Sequence, residues 1–406
     1  MLSNRQLFLQ HLAIPSEVPD ALEIVRADGI YLYDDKGKEF IDLVSGVSVS
    51  NIGHRHPKVV QAIEDQLKKY LHLMVYGKYI QSPQVKLAGK LTSVLPDSLQ
   101  SVYFVNSGSE AIEGAMKLAK RITGRSEIIA FNNAYHGSTH GALSVLGNEE
   151  LKYAYRPLLP EISFLQFNKL EDINNITPET AAVIIEPIQA EAGILIPDLK
   201  YMAALRDKCT ETGALLIFDE VQMGFGRTGK LFAFEHFDTA PDILCLAKGM
   251  GGGMPIGAFV SSKENMLTLT HNPELGHITT FGGHPVSCAA ALASLEVILH
   301  EHLSEQADEK GKMFRNEIEK HPLVDHIRQI GLMLAVEIKS GFSISKLIKI
   351  LQKNGLIVDQ FLFNTQSFRI APPLTITKDE ILVVIDKVIL SLDSLKKGFF
   401  ENTNIK

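Results

Sequence analysis

Two stretches decide the fold, Ala214-Leu215-Leu216-Ile217-Phe218-Asp219-Glu220 and Ile243-Leu244-Cys245-Leu246-Ala247-Lys248. Each is an apolar run with the length of a buried strand, and each ends in a charged side chain, Asp219 in the first and Lys248 in the second. A carboxylate and an amine at the ends of neighbouring strands can serve a pyridine-aldehyde cofactor, because the lysine can form a Schiff base while the carboxylate keeps the ring nitrogen protonated. Lysine and aspartate also end strands as ordinary solvated charges, so these two residues alone leave both interpretations open.

The composition indicates a globular protein with more than one lobe. The chain has 406 residues, of which 45% are hydrophobic and 21% are charged, and a chain of this length can bury a large core. The net charge of −7, from 47 acidic and 40 basic residues, is mild and argues against a broad nucleic-acid-binding surface. No nucleic-acid partner is therefore expected.

The sequence predicts neither a metal centre nor a membrane segment. The cysteines Cys209, Cys245 and Cys288 form no CxxC pair and no Cys/His metal pattern. Cys245 and Cys288 lie among apolar or small residues and are predicted to be buried thiols. The N-terminus has no signal-peptide core, and no run of about 18 apolar residues occurs. We therefore expect a cytoplasmic protein without a metal and without membrane contact.

Changes of hydrophobic pattern divide the chain into three parts. Residues 1–54 are predicted to form an N-terminal arm and a hairpin that contributes to a small domain. Residues 55–300 alternate apolar strands with helical periods, which favours an α/β fold with a mainly parallel sheet between helices. Residues 301–406 are predicted to form a smaller α+β domain. The strands expected in the large domain are 102–105, 127–131, 181–186, 214–218, 243–247 and 256–260, with helices over Glu110–Arg121 and Tyr201–Thr212.

Polar motifs follow several of these strands, at the edge where a parallel sheet places its ligands. Asn106-Ser107-Gly108-Ser109-Glu110 turns a strand into a helix. The exposed N–H groups of the first helical turn would bind an anion, although a plain serine N-cap has the same pattern. Tyr135-His136-Gly137 follows the next strand, and the tyrosine can stack on a planar ring. A core or turn tyrosine and a structural histidine fit this pattern as well.

Further motifs carry acidic, amide and basic groups. Glu186-Pro187-Ile188-Gln189-Ala190-Glu191 ends a strand with three polar side chains on a stiff proline turn, and Gln222 offers an amide that can hydrogen-bond a ring hydroxyl. Arg369, just before Ala371-Pro372-Pro373, suits bidentate binding of a substrate carboxylate, although a surface salt bridge is equally compatible. Gly224-Phe225-Gly226 follows the acidic pair rather than a strand end, so it is predicted to be a loop and not a dinucleotide fingerprint.

These motifs are highly specific in combination. SGSEA, YHG, EPIQAE, DEVQMGFGRTG, LAKGMGGG and TTFGGHP occur in this order, and with them the sequence resembles the class III (ω-amino-acid) aminotransferases, the group of the acetylornithine, ornithine and 4-aminobutyrate aminotransferases. The resemblance runs over nearly the whole chain, from Gly46-Val47 to Arg369-Ile370-Ala371-Pro372-Pro373. It implies the PLP-dependent transferase type I fold, with a mainly parallel seven-stranded sheet between helices and a smaller α+β domain. It also implies an enzyme that uses pyridoxal 5′-phosphate to move an amino group to 2-oxoglutarate by a ping-pong mechanism.

The resemblance also implies roles for individual residues. Lys248 would form the Schiff base and carry the proton, and Asp219 would pair with the pyridine nitrogen. Thr280 would reach the phosphate from the neighbouring subunit, which implies a homodimer with shared active sites. The other residues implied to bind the cofactor are Ser107, Gly108 and Ser109 at the phosphate, Tyr135 stacked on the ring, Gln222 near the ring oxygen, His136 and Glu186. The residues implied to bind substrate are Val47, Arg369 and Glu191. Arg369 would bind an α-carboxylate, and Glu191 would neutralise that arginine when an ω-amine is bound.

One position departs from the family pattern. Members that act on acetylornithine, ornithine or 4-aminobutyrate usually have an arginine directly after the aromatic-x-glycine motif, whereas this chain has Ser138. The departure indicates a donor with a neutral or short distal end, and an acetylornithine-like donor is the first expectation. The alternatives are an aminomutase or decarboxylating enzyme of the same fold, a nucleotide-dependent oxidoreductase, and a catalytically silent scaffold protein.

Overall fold

The computed structural model describes residues 2–17 and 19–403. The α-helices within those residues are α1 (Asn4–His11), α2 (Ser45–Ser48), α3 (Pro57–Leu67), α4 (Ser82–Thr92), α5 (Gly108–Thr123), α6 (His140–Ser144), α7 (Leu199–Thr212), α8 (Lys263–Leu267), α9 (Pro285–His300), α10 (Leu303–Ile318), α11 (Ile344–Lys353) and α12 (Lys378–Thr403). Short 3₁₀ helices span Tyr153–Tyr155, Leu170–Asn175, Ala233–His236, Lys248–Gly251 and Thr268–Thr270.

The strands form three sheets. They are β1 (Ile24–Asp28), β2 (Tyr31–Asp34), β3 (Glu39–Asp42), β4 (Ser101–Val105), β5 (Glu127–Phe131), β6 (Ile162–Leu165), β7 (Thr180–Ile185), β8 (Leu215–Asp219), β9 (Ile243–Leu246), β10 (Gly257–Ser261), β11 (Val324–Ile330), β12 (Met333–Ile338), β13 (Leu356–Ile357), β14 (Asp359–Gln360) and β15 (Ser367–Ile370).

The central sheet has seven strands in the order β4-β10-β9-β8-β7-β5-β6. The pairs β9–β8, β8–β7, β7–β5 and β5–β6 are parallel, whereas β10 runs antiparallel to both β9 and β4. The prediction of a mainly parallel seven-stranded sheet is confirmed, and all six predicted strands are present. The seventh strand, β6, was not among those predicted from the apolar pattern.

Both faces of the central sheet are covered by helices. Along β7, Val183 and Ile185 pack into the apolar cluster that includes residues of α7, while Ala182 and Ile184 pack into a second cluster with residues of α5. Alternate residues of a strand point to opposite faces of its sheet, so a strand buried on both faces has a continuous apolar sequence. This explains why the fully buried strands β7 and β9 have nearly continuous apolar sequences.

Two smaller sheets lie outside the central one. The predicted N-terminal hairpin is the β2–β3 pair, which joins β1 on one side and the short C-terminal strand β13 on the other, with Leu356 beside Ile41. The other sheet, of order β11-β12-β15-β14, is antiparallel throughout, and its strand β15 is buried along its length. Arg369 therefore lies inside the protein rather than at a surface salt bridge.

Within the described part of the chain, no single helix has the length and apolarity needed to cross a membrane. Only α9 and α10 taken together, bent by 67° at the break between them, meet those criteria.

Candidate active site

The carboxyl ends of the central strands surround a cavity of about 440 Å³. The strands β5, β7, β8 and β9 run in parallel, so the residues that follow them meet at one edge of the sheet, as is typical of ligand sites in α/β folds. The lining contains nine of the residues singled out from the sequence, namely Ser107, Gly108, Ser109, Tyr135, His136, Glu186, Asp219, Gln222 and Lys248. The sequence therefore predicted residues that the fold brings to one place.

Lys248 lies in the tight turn that follows β9. Its backbone has a φ of +48°, an uncommon conformation for a side chain with a Cβ atom. The next residue is Gly249, where a Cβ atom would lie 2.5 Å from Asn51 Nδ2, so the turn has no room for a larger residue. Burial lowers the pKa of the Lys248 amine, and the negative charges of Glu191 and Asp219 oppose that shift.

Asp219 is fixed by two hydrogen bonds at the end of β8. His136 Nδ1 lies 2.7 Å from Asp219 Oδ2, and the N–H of Val221 donates to Oδ1 over 2.9 Å. His136 is buried, and its Nε2 has no partner among the described residues. The histidine therefore orients the carboxylate of Asp219, which lines the same cavity as Lys248.

Glu186 is a buried carboxyl group between two loops of the site. Its Oε1 accepts the N–H of Tyr135 and its Oε2 accepts the N–H of Ala190, each over 3.0 Å. Burial raises the pKa of Glu186 to about 7; the positive charge of His136 opposes this and the carboxylate of Asp219 adds to it.

The start of helix α5 forms an anion site. Ser107 is the N-cap, and its side chain accepts the N–H of Glu110 over 3.2 Å. The N–H groups of the first turn carry the positive end of the helix dipole toward the cavity. At Gly108, a Cβ atom would lie 2.7 Å from Val221 Cγ1, so only glycine leaves the backbone at this point accessible without displacing that side chain. Ser109 Oγ accepts the N–H of Ser138 over 3.3 Å.

Tyr135 is half-buried at the wall of the cavity. Its hydroxyl lies 3.1 Å from Ser138 Oγ, so the side chain of Ser138 is engaged in a neutral hydrogen bond to the tyrosine. No guanidinium group is among the lining residues of the described cavity.

Arg369 and Glu191 form a buried ion pair beside the cavity. Arg369 Nη2 donates to Glu191 Oε1 over 2.6 Å, and Gln222 Nε2, which does line the cavity, donates to the same oxygen over 3.3 Å. The N–H of Leu362 donates to Glu191 Oε2 over 3.2 Å. The Nε and Nη1 atoms of Arg369 are buried and have no hydrogen-bond partner among the described residues. Because buried polar groups are almost always paired, these two donors indicate a binding position for an anion.

Two residues implied by the resemblance lie elsewhere. Val47 is in the turn α2 with a φ of +61°, and Val49 lines the cavity in its place. Thr280 is exposed outside the cavity, with its hydroxyl 3.3 Å from that of Tyr76. Other lining residues that the sequence did not single out are Val49, Asn106, Gly137, Val221, Ala247, Gly253, Met254, Pro255 and Ile256. Four of them, Asn106, Gly137, Val221 and Ala247, neighbour a predicted residue in the chain, and this proximity was the one signal that could have identified them.

The sequence is similar to known aminotransferases over most of its length. The family profile described as aminotransferase class-III matches residues 14–392. The chain is 42% identical over 331 residues to an acetylornithine aminotransferase of Methanopyrus kandleri, covering 81% of this chain and 83% of that protein. It is 41% identical over 399 residues to an acetylornithine aminotransferase of Methanocaldococcus jannaschii, covering 95% of each. It is 39% identical over 342 residues to a [LysW]-aminoadipate semialdehyde/glutamate semialdehyde transaminase of Sulfolobus acidocaldarius, covering 83% of this chain and 86% of that protein.

Solved structures of transaminases have the same fold. A transaminase from the marine bacterium Virgibacillus superposes with a TM-score of 0.91 at 28% identity, covering 97% of this chain and 99% of that one. A PLP-bound amine transaminase from an uncultivated Pseudomonas species gives a TM-score of 0.88 at 28% identity, covering 95% of this chain and 99% of that one. The chain therefore belongs to the class III aminotransferases, which confirms the predicted family, fold, enzyme class and pyridoxal 5′-phosphate cofactor.

Proposed function

We propose that this aminotransferase takes its amino group from an ω-amine or amino-acid donor, with an acetylornithine-like compound as the first candidate, and passes it to 2-oxoglutarate in a ping-pong reaction. The observation that carries the proposal is the pair of unpartnered buried nitrogens on Arg369 beside the cavity that holds Lys248 and Asp219. The names of the relatives from Methanopyrus kandleri and Methanocaldococcus jannaschii support the choice of donor.

The residues of the cavity fit pyridoxal 5′-phosphate. The N–H groups at Gly108 and Ser109, with the hydroxyls of Ser107 and Ser109, would hold the phosphate, and the small residue at 108 leaves that backbone open. The Tyr135 ring would lie against the pyridine ring, and the Gln222 amide would approach its oxygen substituent. When bound, the cofactor supplies an electron-withdrawing ring that stabilises negative charge on the substrate carbon.

Two side chains would handle protons in the reaction. The Lys248 amine has its pKa lowered by burial, so a larger fraction is uncharged and able to accept a proton near neutral pH. The Asp219 carboxylate, oriented by His136 at 2.7 Å, would hold a proton on the ring nitrogen. His136 would thus act on the ring through Asp219, and Glu186 lies beside both.

Arg369 would bind the α-carboxylate of the keto acid. Its Nε and Nη1 donors have no partner among the described residues, and Nη2, which both bidentate edges of the guanidinium share, is held by Glu191. Bidentate binding of a carboxylate would therefore require Glu191 to release Nη2. When an ω-amine donor without a nearby carboxylate is bound, Glu191 would neutralise the arginine and avoid an unpaired buried charge. One site can in this way accept both a carboxylate-bearing and a carboxylate-free end.

The distal end of the donor would meet a neutral wall. Ser138 bonds the Tyr135 hydroxyl, and the described lining of the cavity has Lys248 as its only lysine or arginine. A second free carboxylate would therefore be left without a cationic partner. This supports a donor whose far end is short or uncharged, with Val47, or Val49 two residues later, on the substrate side. Acetylornithine, which the names of the relatives favour, instead carries a carboxylate at the end away from its δ-amine, so the two lines of support favour different donors.

The donor and the acceptor can be tested separately. A panel of amines, including acetylornithine, ornithine, 4-aminobutyrate and an alkylamine of similar length with no second charged group, is offered with 2-oxoglutarate, and glutamate is measured. A higher kcat/KM for the alkylamine than for acetylornithine would support the neutral wall, and the reverse order would support the donor named in the relatives. Glutamate formation from none of the donors would contradict the proposed reaction, and a preference for 4-aminobutyrate would contradict the neutral wall.

Arg369→Ala should raise the KM for 2-oxoglutarate by roughly 10- to 100-fold, the amount expected for losing hydrogen bonds to a charged group. The first half-reaction with an ω-amine, followed by the change in cofactor absorbance, should be less affected. Arg206→Ala is the control, because Arg206 pairs with Asp242 just before β9, at the opposite end of that strand from Lys248. An unchanged KM in Arg369→Ala would rule out the carboxylate-binding role.

We also propose a homodimer in which Thr280 completes the partner's phosphate site. Exposed apolar side chains accumulate in two segments that contact each other through Tyr76 and Thr280: Leu71, Leu73, Met74, Tyr79 and Ile80 in the first, and Leu275, Ile278 and Phe281 in the second. Large exposed apolar surfaces of this kind mark protein interfaces. A cytoplasmic location is proposed as well, supported by three buried cysteines that form no disulfide.

The domain boundaries stay as proposed from the sequence, with residues 1–54 and 301–406 forming the smaller part around the large domain of residues 55–300. The central sheet supports this division, since its strands all come from residues 101–261. The pairing of β3 with β13 supports a small domain built from both ends of the chain.

A further inference from the structure

Glu186 uses both of its carboxylate oxygens on backbone N–H groups of two different loops. One loop, residues 132–138, follows β5 and carries Tyr135 and His136; the other, residues 186–194, follows β7 and carries Glu191. The bonds from Tyr135 N and Ala190 N are both 3.0 Å long. Glu186 is therefore a link between these loops, and its side chain is 4% exposed.

Each of the linked loops ends in a different part of the site. Through the first loop, His136 meets the carboxylate of Asp219 at 2.7 Å. Through the second, Glu191, the neighbour of Ala190, meets Arg369 at 2.6 Å and Gln222 at 3.3 Å. A shift of either loop would move a group that faces the cofactor or a group that faces the keto acid.

We infer that Glu186 is a positioning residue that couples the cofactor side of the site, at Tyr135 and His136, to the substrate side, at Glu191 and Arg369. It acts through the backbone N–H groups of both loops, in addition to lining the cavity. The inference rests on the proposed role of Arg369 in keto-acid binding. It predicts that one change at Glu186 weakens cofactor retention and keto-acid binding together, while the chemical step is less affected.

Glu186→Gln breaks the link selectively. The glutamine amide has one oxygen and one NH₂ group, so it can accept from Tyr135 N or from Ala190 N, and its NH₂ then faces the N–H of the other loop. The loops also share a second contact, in which Gln189 Nε2 donates to the carbonyl oxygen of Asn132 over 2.9 Å. This contact is unchanged in the variant, so the fold should be retained.

The experiment compares the holoenzyme with its Glu186→Gln variant in three measurements. They are the rate of cofactor release into a trap, followed by absorbance, the KM and kcat for 2-oxoglutarate, and the midpoint of thermal unfolding. We expect the release rate and the KM each to rise roughly tenfold, as for one lost hydrogen bond to a charged acceptor, with kcat reduced less. Glu186→Asp, which keeps the charge but is one methylene too short to reach both N–H groups, should raise both quantities in the same direction.

Glu220→Gln is the matched control. Glu220 is also fully buried and also accepts two backbone N–H groups, those of Ala233 at 2.6 Å and Phe234 at 2.7 Å, but these lie outside the cavity lining. The Glu220→Gln variant should lower the midpoint of thermal unfolding about as much as Glu186→Gln does. It should not raise the KM for 2-oxoglutarate or the rate of cofactor release.

Three results would overturn the inference. An unfolding midpoint lowered as in the control, with unchanged KM and release, would make Glu186 merely structural. A loss of kcat alone would place it in the chemical step. A faster cofactor release with an unchanged KM would remove the coupling to Arg369. If the wild-type enzyme does not use 2-oxoglutarate, the proposed acceptor is wrong. The rate of cofactor release would still test the link from Glu186 to Tyr135.

Discussion

The chemistry of Lys248 is determined by its immediate surroundings. Its amine faces the cavity from a turn with a φ of +48°, and burial lowers its pKa despite the nearby carboxylates of Glu191 and Asp219. A lysine of lowered pKa is both a better nucleophile and a better base at neutral pH. The strained backbone and Gly249, where a side chain would meet Asn51, hold that amine in one place.

Lys248→Ala should abolish turnover while leaving the fold intact. The change removes the amine that would bond to the cofactor and move the proton, and a buried alanine at the cavity wall needs no new partner. Glutamate formation should fall by at least about three orders of magnitude, as when a catalytic nucleophile is removed. Borohydride reduction followed by peptide mapping should find a pyridoxyl adduct at residue 248 in the wild type and none in the variant.

Lys230→Ala, a change at an exposed lysine, is the control and should keep both the activity and the adduct. Substantial transaminase activity in Lys248→Ala would refute the assignment of this lysine.

Single residues differ in how far the sequence can predict them. Lys248 and Asp219 could be predicted because each ends an apolar run, and a strand end in a parallel sheet faces the ligand edge. The link made by Glu186 could not be predicted, because it joins Tyr135, which is 51 residues away in the chain, to Ala190, which is only 4 residues away. Their approach depends on how β5 and β7 align, which the local pattern does not encode.

At the scale of secondary-structure elements, Glu220 anchors the 3₁₀ helix Ala233–His236 to the end of β8. Burial raises the pKa of Glu220 to about 8, and the hydrogen bonds from Ala233 and Phe234 only partly oppose this. An unfolded glutamate titrates near pH 4.3. Between these two values the folded state binds more protons than the unfolded state, so this group makes the protein less stable as the pH rises.

Glu220→Gln should remove that pH dependence. The wild-type free energy of unfolding should fall from pH 5 to pH 8 relative to that of the variant, by up to about 1.4 kcal/mol per pH unit. The contribution of Glu220 is fully present below pH 4 and is lost as the pH passes 8. Denaturant unfolding of both proteins at several pH values measures the difference, and parallel curves over this range would contradict the raised pKa.

The elements of the central sheet and the parallel direction of most of its strands were predictable, and the antiparallel direction of β10 was not. Apolar runs bounded by turns identified β4, β5, β7, β8, β9 and β10. The strand β6 was missed because Ile162-Ser163-Phe164-Leu165 is short and no motif follows it. The antiparallel direction of β10 could not be predicted, because a strand buried on both faces has the same apolar pattern whichever way it runs.

For the molecule as a whole, the active site depends on contacts between distant parts of the chain. Arg227 is fully buried and donates to Asn51 Oδ1 over 2.6 Å, to the carbonyl oxygen of Leu332 over 2.9 Å and to that of Pro372 over 2.7 Å. Burial lowers its pKa to about 9. Asn51 lies against Gly249, next to Lys248, and Pro372 follows the strand of Arg369. This buried cation thus connects the turn of Lys248 to the strand of Arg369.

We also expect two copies of the chain to associate through an exposed apolar surface. Ile80 is 94% exposed and Phe281 is 54% exposed, in the two apolar segments that meet at Thr280. Changing both to aspartate should give a monomer by light scattering where the wild type has twice the chain mass, because charges are strongly disfavoured inside an interface. The monomer should also release its cofactor faster, since Thr280 would no longer reach the neighbouring phosphate. Leu390→Asp, a similar change at a 56% exposed position on α12, should remain dimeric and active; a double variant that stays dimeric would place the interface elsewhere.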